Sequence, residues 1–434
     1  MDIRAPWLRP VGLAALAGLC FLAAQGTGIR LFFHLFYILL ALLALSYAWA
    51  RVNLRGLAVQ REIYTHRTQV GDYARERITL QNLWPIPKLW IELLDHSDLP
   101  GHGPGFVAYL PGRDRRRWLT RTPCTMRGKF TLGPATLVSG DPFGLFRVTR
   151  AVPTTGEVLV YPRMTPLPGF SLPSAELPGG QNLKSRTYHV TPNVSTVRDY
   201  QPGDSFNRIH WRSTARMDQL MVKEFELDPT AELYIVLDMQ ERAQERLLPD
   251  GAERGMRRLS EVRVAESTEE YGVQAAASIA RHMLEQDRAV GLIAWGQHRE
   301  VIPAEREVRQ LYKILEALAV LRAHGTHSLA EVLAAESSRF GRNSTLVIIT
   351  PSLDERWVTS VQHLRYRGVQ AVAVFVDPQS FGGWRDSRGV LARLADSRVP
   401  YYLYRQGQSL AEVLRHVQGS ARAFERWTVG PLDR

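Results

Sequence analysis

Residues 31–50, LFFHLFYILLALLALSYAWA, run for twenty positions without an Asp, Glu, Lys or Arg. At 1.5 Å of rise per residue, a helix of that length crosses the roughly 30 Å hydrocarbon core of a bilayer. In lipid, only a helix or a closed barrel pairs every backbone N–H and C=O, so the run predicts a helix. A second apolar run, VGLAALAGLCFLAA at residues 11–24, precedes it across the polar break 25–30 and extends back past Arg9 through Trp7 and Leu8. The two read as a hairpin with spans over about 8–24 and 31–50, which makes residues 1–51 a membrane anchor. A cleaved signal peptide is the competing reading, with Arg4 and Arg9 as its charged start. Leu22 and Ala24 make a poor small-x-small cleavage site, and a second span follows at once, which favours the hairpin. His34 sits inside the second span near its end, where a histidine is either interfacial or a functional polar group.

Charge gives the anchor a direction. Arg4 and Arg9 precede the first span and Arg51, Arg55 and Arg61 follow the second, while the turn between carries only Arg30. The excess of basic residues on the cytoplasmic side then predicts a multi-pass protein of the plasma (inner) membrane with both ends in the cytoplasm. The formal net charge is +11 and comes mostly from arginine. That balance fits nucleic acid, an anionic membrane face or an acidic partner, and does not choose among them. The only cysteines are Cys20 and Cys124, so no disulfide framework is expected.

Past the anchor the pattern shortens. LAVQREIYT, ARERITLQN, KLWIELLDH, GFVAYL, RRWLTRTPC, GKFTLGPATLVS and EVLVYP alternate or are β-rich, with turn signals between them such as Pro85-Ile86-Pro87 and Leu110-Pro111-Gly112. Strands at this spacing, with no helical period between them, predict an antiparallel sandwich-like domain over residues 52–166. The basic run 113–117 reads as a charged hairpin edge that blocks strand-to-strand association, or as a contact for anionic headgroups. Residues 167–231 hold a Pro/Gly/Ser-rich linker and a dense polar segment.

Residues 232–434 alternate strand and helix. LYIVLD (233–238), AVGLIAW (289–295), STLVIIT (344–350), VQAVAVFVD (369–377) and PYYLYR (400–405) read as buried parallel strands. Helices are predicted from the Ser267 capping box to about Gln286, on the apolar face Val308-Leu311-Leu315-Leu318, near 328–337, over 354–366 and over 409–419. This predicts a doubly wound α/β sheet, whose ligands sit beyond the carboxyl ends of its strands. No G-x-G-x-x-G follows Asp238 and no G-x-x-x-x-G-K-[ST] occurs anywhere, which argues against a dehydrogenase or an NTPase.

The dense polar segment is VRDYQPGDSFNRIHWRSTARMDQLMVKEFE, residues 197–226. Pro202-Gly203 makes a turn, and Asp204 stands where an N-cap is needed. A short helix should follow, burying Phe206, Ile209, Trp211 and Ala215, with Arg208, Arg212 and Arg216 aligned at i, i+4, i+8. Asp204, His210 and Ser213 suggest an acid–histidine–nucleophile set, but no nucleophile elbow accompanies them, and no catalytic residue is assigned. Nucleic acid fits the arginines poorly in a membrane-anchored chain without a recognised nucleic-acid module. Two readings stay open. Arg198, Arg208 and Arg216 pair internally with Asp199, Asp204, Glu224 and Glu226, or the arginines form a docking surface for an acidic partner.

SGDPFGLFR (139–147), VLVYPR (158–163) and RDYQPGDSFNRIHWRSTAR (198–216) closely resemble the signature of the domain-of-unknown-function-58 family, and that family's order of anchor, β-rich segment, signature and α/β domain covers the whole chain. Its signature positions here are Arg198, Tyr200, Pro202, Gly203, Asp204, Arg208, His210, Trp211, Arg212 and Arg216. The resemblance implies a bacterial or archaeal membrane protein whose α/β domain is von Willebrand factor A-like. It further implies a non-enzymatic adaptor or scaffold working with a MoxR-type AAA+ ATPase in a chaperone-like assembly. The A-type domain's D-x-S-x-S cation motif is matched only by Asp238, because Gln240 and Arg242 replace the serines. Asp238, with Asp354 as a second carboxylate, is therefore a weak metal candidate and carries the alternative function, a divalent-cation-dependent ligand binder. No cofactor is expected.

Overall fold

The computed structural model describes residues 8–103, 105–172, 194–200, 209–225, 232–246, 266–342 and 344–418; for 194–198 and 223–225 it describes the backbone alone. The chain forms two compact units, with the main division between Arg163 and Met164.

The first unit begins with two helices, α1 (Leu8–Thr27) and α2 (Arg30–Asn53), each long and apolar enough to cross a membrane. Gly28, at φ +69°, turns the chain between them, and Phe21 packs on Phe36 across the pair. Both helices outrun the expected spans by a few residues. His34 Nδ1 donates to the Arg30 carbonyl one turn back, so its polarity is spent inside its own helix.

Ten strands follow: β1 (Leu57–Ile63), β2 (Arg67–Gln69), β3 (Tyr73–Asn82), β4 (Lys88–Asp95), β5 (Gly105–Leu110), β6 (Arg115–Pro123), β7 (Gly128–Leu132), β8 (Ala135–Gly140), β9 (Arg147–Val152) and β10 (Gly156–Tyr161). Alternation sorts them into layers. Leu57, Ile78 and Leu80 of the antiparallel sheet β1-β3-β6 meet Ile91, Leu93, Leu110 and Leu137 of the sheet β5-β4-β8-β9 in one core. Most residues that alternate with these are at least partly exposed, as sandwich packing requires, although Thr79 and Val138 are buried too. A third sheet, β2-β10-β7, closes over Val70, Leu132, Val158 and Val160. Its β2–β10 pair is parallel, so the domain is not wholly antiparallel as expected. GKFTLGPATLVS, expected as one strand, is two, in different sheets.

Helix α2 enters this sandwich without a linker. The Lys88 ammonium, fully buried, donates to the Val52 carbonyl at 2.7 Å, placing positive charge on the negative end of the helix. Asn53 Nδ2 donates to Ser139 Oγ at 2.6 Å, and Arg150 donates to the Leu54 and Leu57 carbonyls. Gly56 takes φ +70°, and a Cβ there would run into the Trp84 ring, so the turn calls for glycine.

In the second unit, β11 (Val194–Asp199) and β12 (Met221–Phe225) form an antiparallel pair, with α3 (Trp211–Met217) between them in sequence. A six-stranded sheet then assembles from β13 (Leu233–Leu237), β14 (Val290–Trp295), β15 (Arg299–Glu305), β16 (Thr345–Thr350), β17 (Gln370–Val376) and β18 (Tyr401–Tyr404). Its order is β15-β14-β13-β16-β17-β18, all parallel except the antiparallel edge strand β15. Helices α4 (Thr268–Glu285), α5 (Val308–Val320), α6 (Leu329–Ala335), α7 (Arg356–Tyr366), α8 (Arg388–Asp396) and α9 (Leu410–Val413) complete the unit. Ser267 caps α4 as expected, accepting the Glu270 amide, and Ser328 with Glu331 builds a full capping box on α6. On one face Trp357, Val361, Leu364 and Leu394 pack against Val236, Ile348 and Phe375; on the other Gly272 of α4 lies against Leu237 and Ile349. The stretch from Thr165 belongs to this unit as well. Gln274 Nε2 donates to Thr165 Oγ1, and Leu167 and Phe170 are buried, so the expected linker is packed at its start.

Candidate functional site

The sheet grows outward in both directions from β13, to β14 and β15 on one side and to β16, β17 and β18 on the other. Strand order therefore reverses between β13 and β16, the place where open α/β sheets leave a crevice at their carboxyl ends. Asp238 stands there. Its side chain is buried, Oδ2 accepts the Thr350 hydroxyl at 2.6 Å from the end of β16, and Oδ1 accepts the Gln240 amide at 3.1 Å. Burial pushes its pKa up to about 6, against the pull of those two hydrogen bonds. Thr350 Oγ1 also accepts the Ser352 amide, and Gln244 donates to the Asp238 carbonyl, so the turn is held from both sides. A buried carboxylate with a raised pKa and no cationic partner among the described residues marks a site candidate.

Neither the residues that replace the motif serines nor the second carboxylate converge on it. Arg242 is exposed on a 3-10 turn over Glu241–Ala243, and Gln240 reaches Asp238 by its backbone. Asp354 pairs with Arg356 at 2.7 Å, and that guanidinium holds its carboxyl below the usual carboxylate range. Among the described residues Asp238 belongs to no group of three or more His, Cys, Asp or Glu side chains close enough to share an ion.

The signature segment shows a different cap from the expected one. Helix α3 starts at Trp211, and its N-cap is His210, whose Nδ1 accepts the Ser213 amide at 3.2 Å and lies 2.7 Å from Ser213 Oγ. His210 and Ser213 are thus brought together as a helix cap. The predicted cap, Asp204, lies outside the described residues with Pro202, Gly203 and Arg208. The His210 amide donates to the Met221 carbonyl and the Tyr200 amide to the Leu220 carbonyl, which ties α3 to the β11–β12 pair. Ile209 is buried as expected, but Trp211 is 66% exposed and Ala215 is exposed, because this one-sided helix packs through its cap and Thr214. Arg212 and Arg216, four residues apart, are exposed on the same side. Met217 and Leu220 extend the exposed apolar surface at the helix end. Arg198 lies in β11 opposite Val222, its side chain outside the description.

A further cluster was not legible in the sequence. Arg61 of β1 reaches Glu76 of β3 at 2.7 Å and Asp95 of β4 at 2.8 Å, and His102 Nε2 lies 3.0 Å from Asp95, all four side chains being at most 5% exposed. Burial raises the pKa of Glu76; it opposes ionisation of Asp95 too, but hydrogen bonds from His102 and Arg61 prevail and lower that one. The Arg61 guanidinium already pairs with both carboxylates, so the cluster reads as an internal salt-bridge network.

A family model described as "Protein of unknown function DUF58" matches residues 196–380, which include the signature helix and most of the six-stranded sheet. The chain is similar to the "Uncharacterized protein YeaD" of Bacillus subtilis (strain 168), 22% identical over 333 residues that cover 74% of this chain and 77% of that protein. Among solved structures, the CARDB domain of the PF1109 protein from Pyrococcus furiosus aligns at 15% identity and TM-score 0.19, over 24% of this chain and 91% of that one. The pilus adhesin SpaC from Lactobacillus rhamnosus GG aligns at 9% identity and TM-score 0.27, over 43% of this chain and 28% of its own.

Proposed function

We propose that the protein is a membrane-anchored, non-catalytic scaffold that holds a protein partner at the cytoplasmic face of the plasma (inner) membrane. The observation that carries this reading is α3: an exposed Trp211 with exposed Arg212 and Arg216 on a helix tied to the β11–β12 pair. Tryptophan and arginine dominate the energetic centres of protein interfaces, and a preset helix binds with little ordering cost. The two membrane-length helices supply the anchor, and the basic residues beside them support the cytoplasmic orientation. Strand order and the Asp238–Thr350 pair support describing the α/β unit as von Willebrand factor A-like. The family resemblance makes a MoxR-type AAA+ ATPase the partner class. Purified from its membrane in mild detergent, the tagged chain should bring down such an ATPase. Trp211→Ala, and separately Arg212→Glu, should cut recovery at least tenfold without lowering the melting temperature, in line with the ~2 kcal/mol or more that interface anchors contribute. Undiminished recovery from both variants would overturn the assignment of α3 as the docking element.

One observation favours a second reading, a divalent-cation-dependent ligand binder: the buried Asp238 carboxylate and the Thr350 hydroxyl meet at the sheet's switch point. Both are hard oxygen donors of the kind Mg²⁺ and Mn²⁺ take.

A further inference from the structure

Two loops beside the carboxyl end of α2 are apolar, exposed and rigid at once. In the first, between β3 and β4, Leu83, Trp84 and Ile86 are between 36% and 56% exposed, as is Leu89 at the start of β4. The loop is nevertheless tightly built. Asn82 Nδ2 donates to the Ile86 and Pro111 carbonyls, its Oδ1 accepts the Trp84 amide, and the Leu83 amide donates to the Gly56 carbonyl. In the second, between β8 and β9, Asp141 accepts the Phe143 and Phe146 amides at 2.9 and 2.6 Å, and Phe143 is left 66% exposed. This accounts for the SGDPFGLFR motif: its aspartate shapes a turn that displays a phenylalanine. A rigid loop that presents large apolar side chains to water is built to meet an apolar environment.

The depth of the second loop identifies that environment. The Phe146 ring packs edge-on against Tyr47 of α2 at 5.4 Å, and Arg9 of α1 donates to the Gly144 carbonyl at 3.2 Å. Tyr47 lies six residues before the end of α2, about 9 Å back along its axis and inside the twenty-residue apolar run. The loop therefore flanks the last turns of the span instead of lying beyond them. Between α2 and the loops is a shallow cavity of about 330 Å³ lined by Trp49, Leu89, Trp90, Gly140, Asp141 and Pro142. Exposed arginines stand at the same end of the sandwich, Arg51 and Arg55 where α2 leaves and Arg113 and Arg115 where β6 begins. Tryptophans and tyrosines with basic neighbours are what a bilayer's interface selects.

We infer that these two loops form a collar that sinks into the headgroup–acyl boundary of the bilayer crossed by α2, with the neighbouring arginines on anionic headgroups. The inference rests on the reading of α1 and α2 as membrane spans. The bilayer is the occupant because the collar continues the surface of the span itself and carries the complementary charge.

The test is spin-label accessibility on the full chain, Cys20→Ala, reconstituted in phosphatidylglycerol–phosphatidylethanolamine vesicles; the native Cys124 is buried. Labels are placed through Ile86→Cys and Phe143→Cys in the collar and Leu40→Cys in the span. Tyr73→Cys, exposed at the opposite end of β3 and about 30 Å away, is the aqueous control. The ratio of oxygen to nickel-complex accessibility at 86 and 143 should be several-fold above that at 73 and close to that at 40. Ratios at 86 and 143 equal to that at 73, with 40 still oxygen-rich, overturn the collar and leave the anchor standing. A water-like ratio at 40 as well overturns the anchor and the collar together. Labels at 86 and 143 shielded from both reagents mean that protein covers the loops, which also overturns the inference.

Discussion

Asp238 is the side chain whose surroundings say most about the second unit. Its carboxyl has two donors, Thr350 and the Gln240 amide, and is otherwise buried, so the neutral form is favoured when the chain is folded. With a folded pKa of about 6 against 3.8 for the free group, the folded state holds this proton longer as pH rises. Its contribution to stability is therefore complete below about pH 4, is lost as pH climbs through 6, and amounts to about 2–3 kcal/mol in all. Asp238→Asn removes that loss, and its melting temperature should exceed that of the native chain at pH 8 and converge on it near pH 4. If Mg²⁺ binds the ionised carboxylate, it should raise the native melting temperature at pH 8 and leave the variant unmoved. A difference between the two proteins that ignores pH would refute this account. Asp238 was visible in the sequence as an acid closing an apolar strand, but its partner was not, because Thr350 arrives from a strand more than a hundred residues later. The cap of α3 was misplaced for a related reason. Asp204 has the better capping chemistry, yet the helix begins where the chain leaves its bridge to Val222, and there the residue at hand is His210. The Arg61 network was hidden because its four members come from separate strands and a loop and share no local pattern.

Among elements, those with a continuous or strongly periodic apolar pattern were legible, and short or half-polar ones were not. The parallel strands β13, β14, β16 and β17 are buried along nearly their whole length and announce themselves as apolar runs. By contrast β15, REVIPAE, lies at an edge where one side meets water and a proline costs no ladder hydrogen bond, and it passed unread. Strands β2 and β9 and the arginine-rich helix α8 were missed likewise, being short or half-polar. The junction of α2 with the sandwich depends on one unusual residue. Lys88 is buried with no carboxylate paired to it among the described residues, held by the negative end of α2 and by the Trp84 ring at 5.2 Å, and burial lowers its pKa. Lys88→Glu sets a carboxylate against that same helix end. It should destabilise the first unit by about 3–5 kcal/mol, read as a lower melting temperature in detergent. Lys129→Glu, on an exposed ion pair with Glu157, serves as the control and should change little.

At the scale of the whole molecule, the order of anchor, β-rich unit and α/β unit was readable from the switch in hydrophobic period along the chain. The orientation proposed for it makes a definite demand: a fluorescent protein fused after Arg434 should glow, and an alkaline phosphatase fused there should stay inactive. The opposite pair of results places the body outside and removes the intracellular partner. The join between helix and sandwich carries a mechanical consequence. Only residues 54–56 separate α2 from β1, and Lys88, Asn53 and Arg150 clamp them, so the junction has no slack. A span longer than the local hydrocarbon layer leans over to fit. With α2 set in a bilayer, that lean would pass unabsorbed into the sandwich and sweep its distal strand ends sideways, so the first unit should tilt with the thickness of the membrane beneath it.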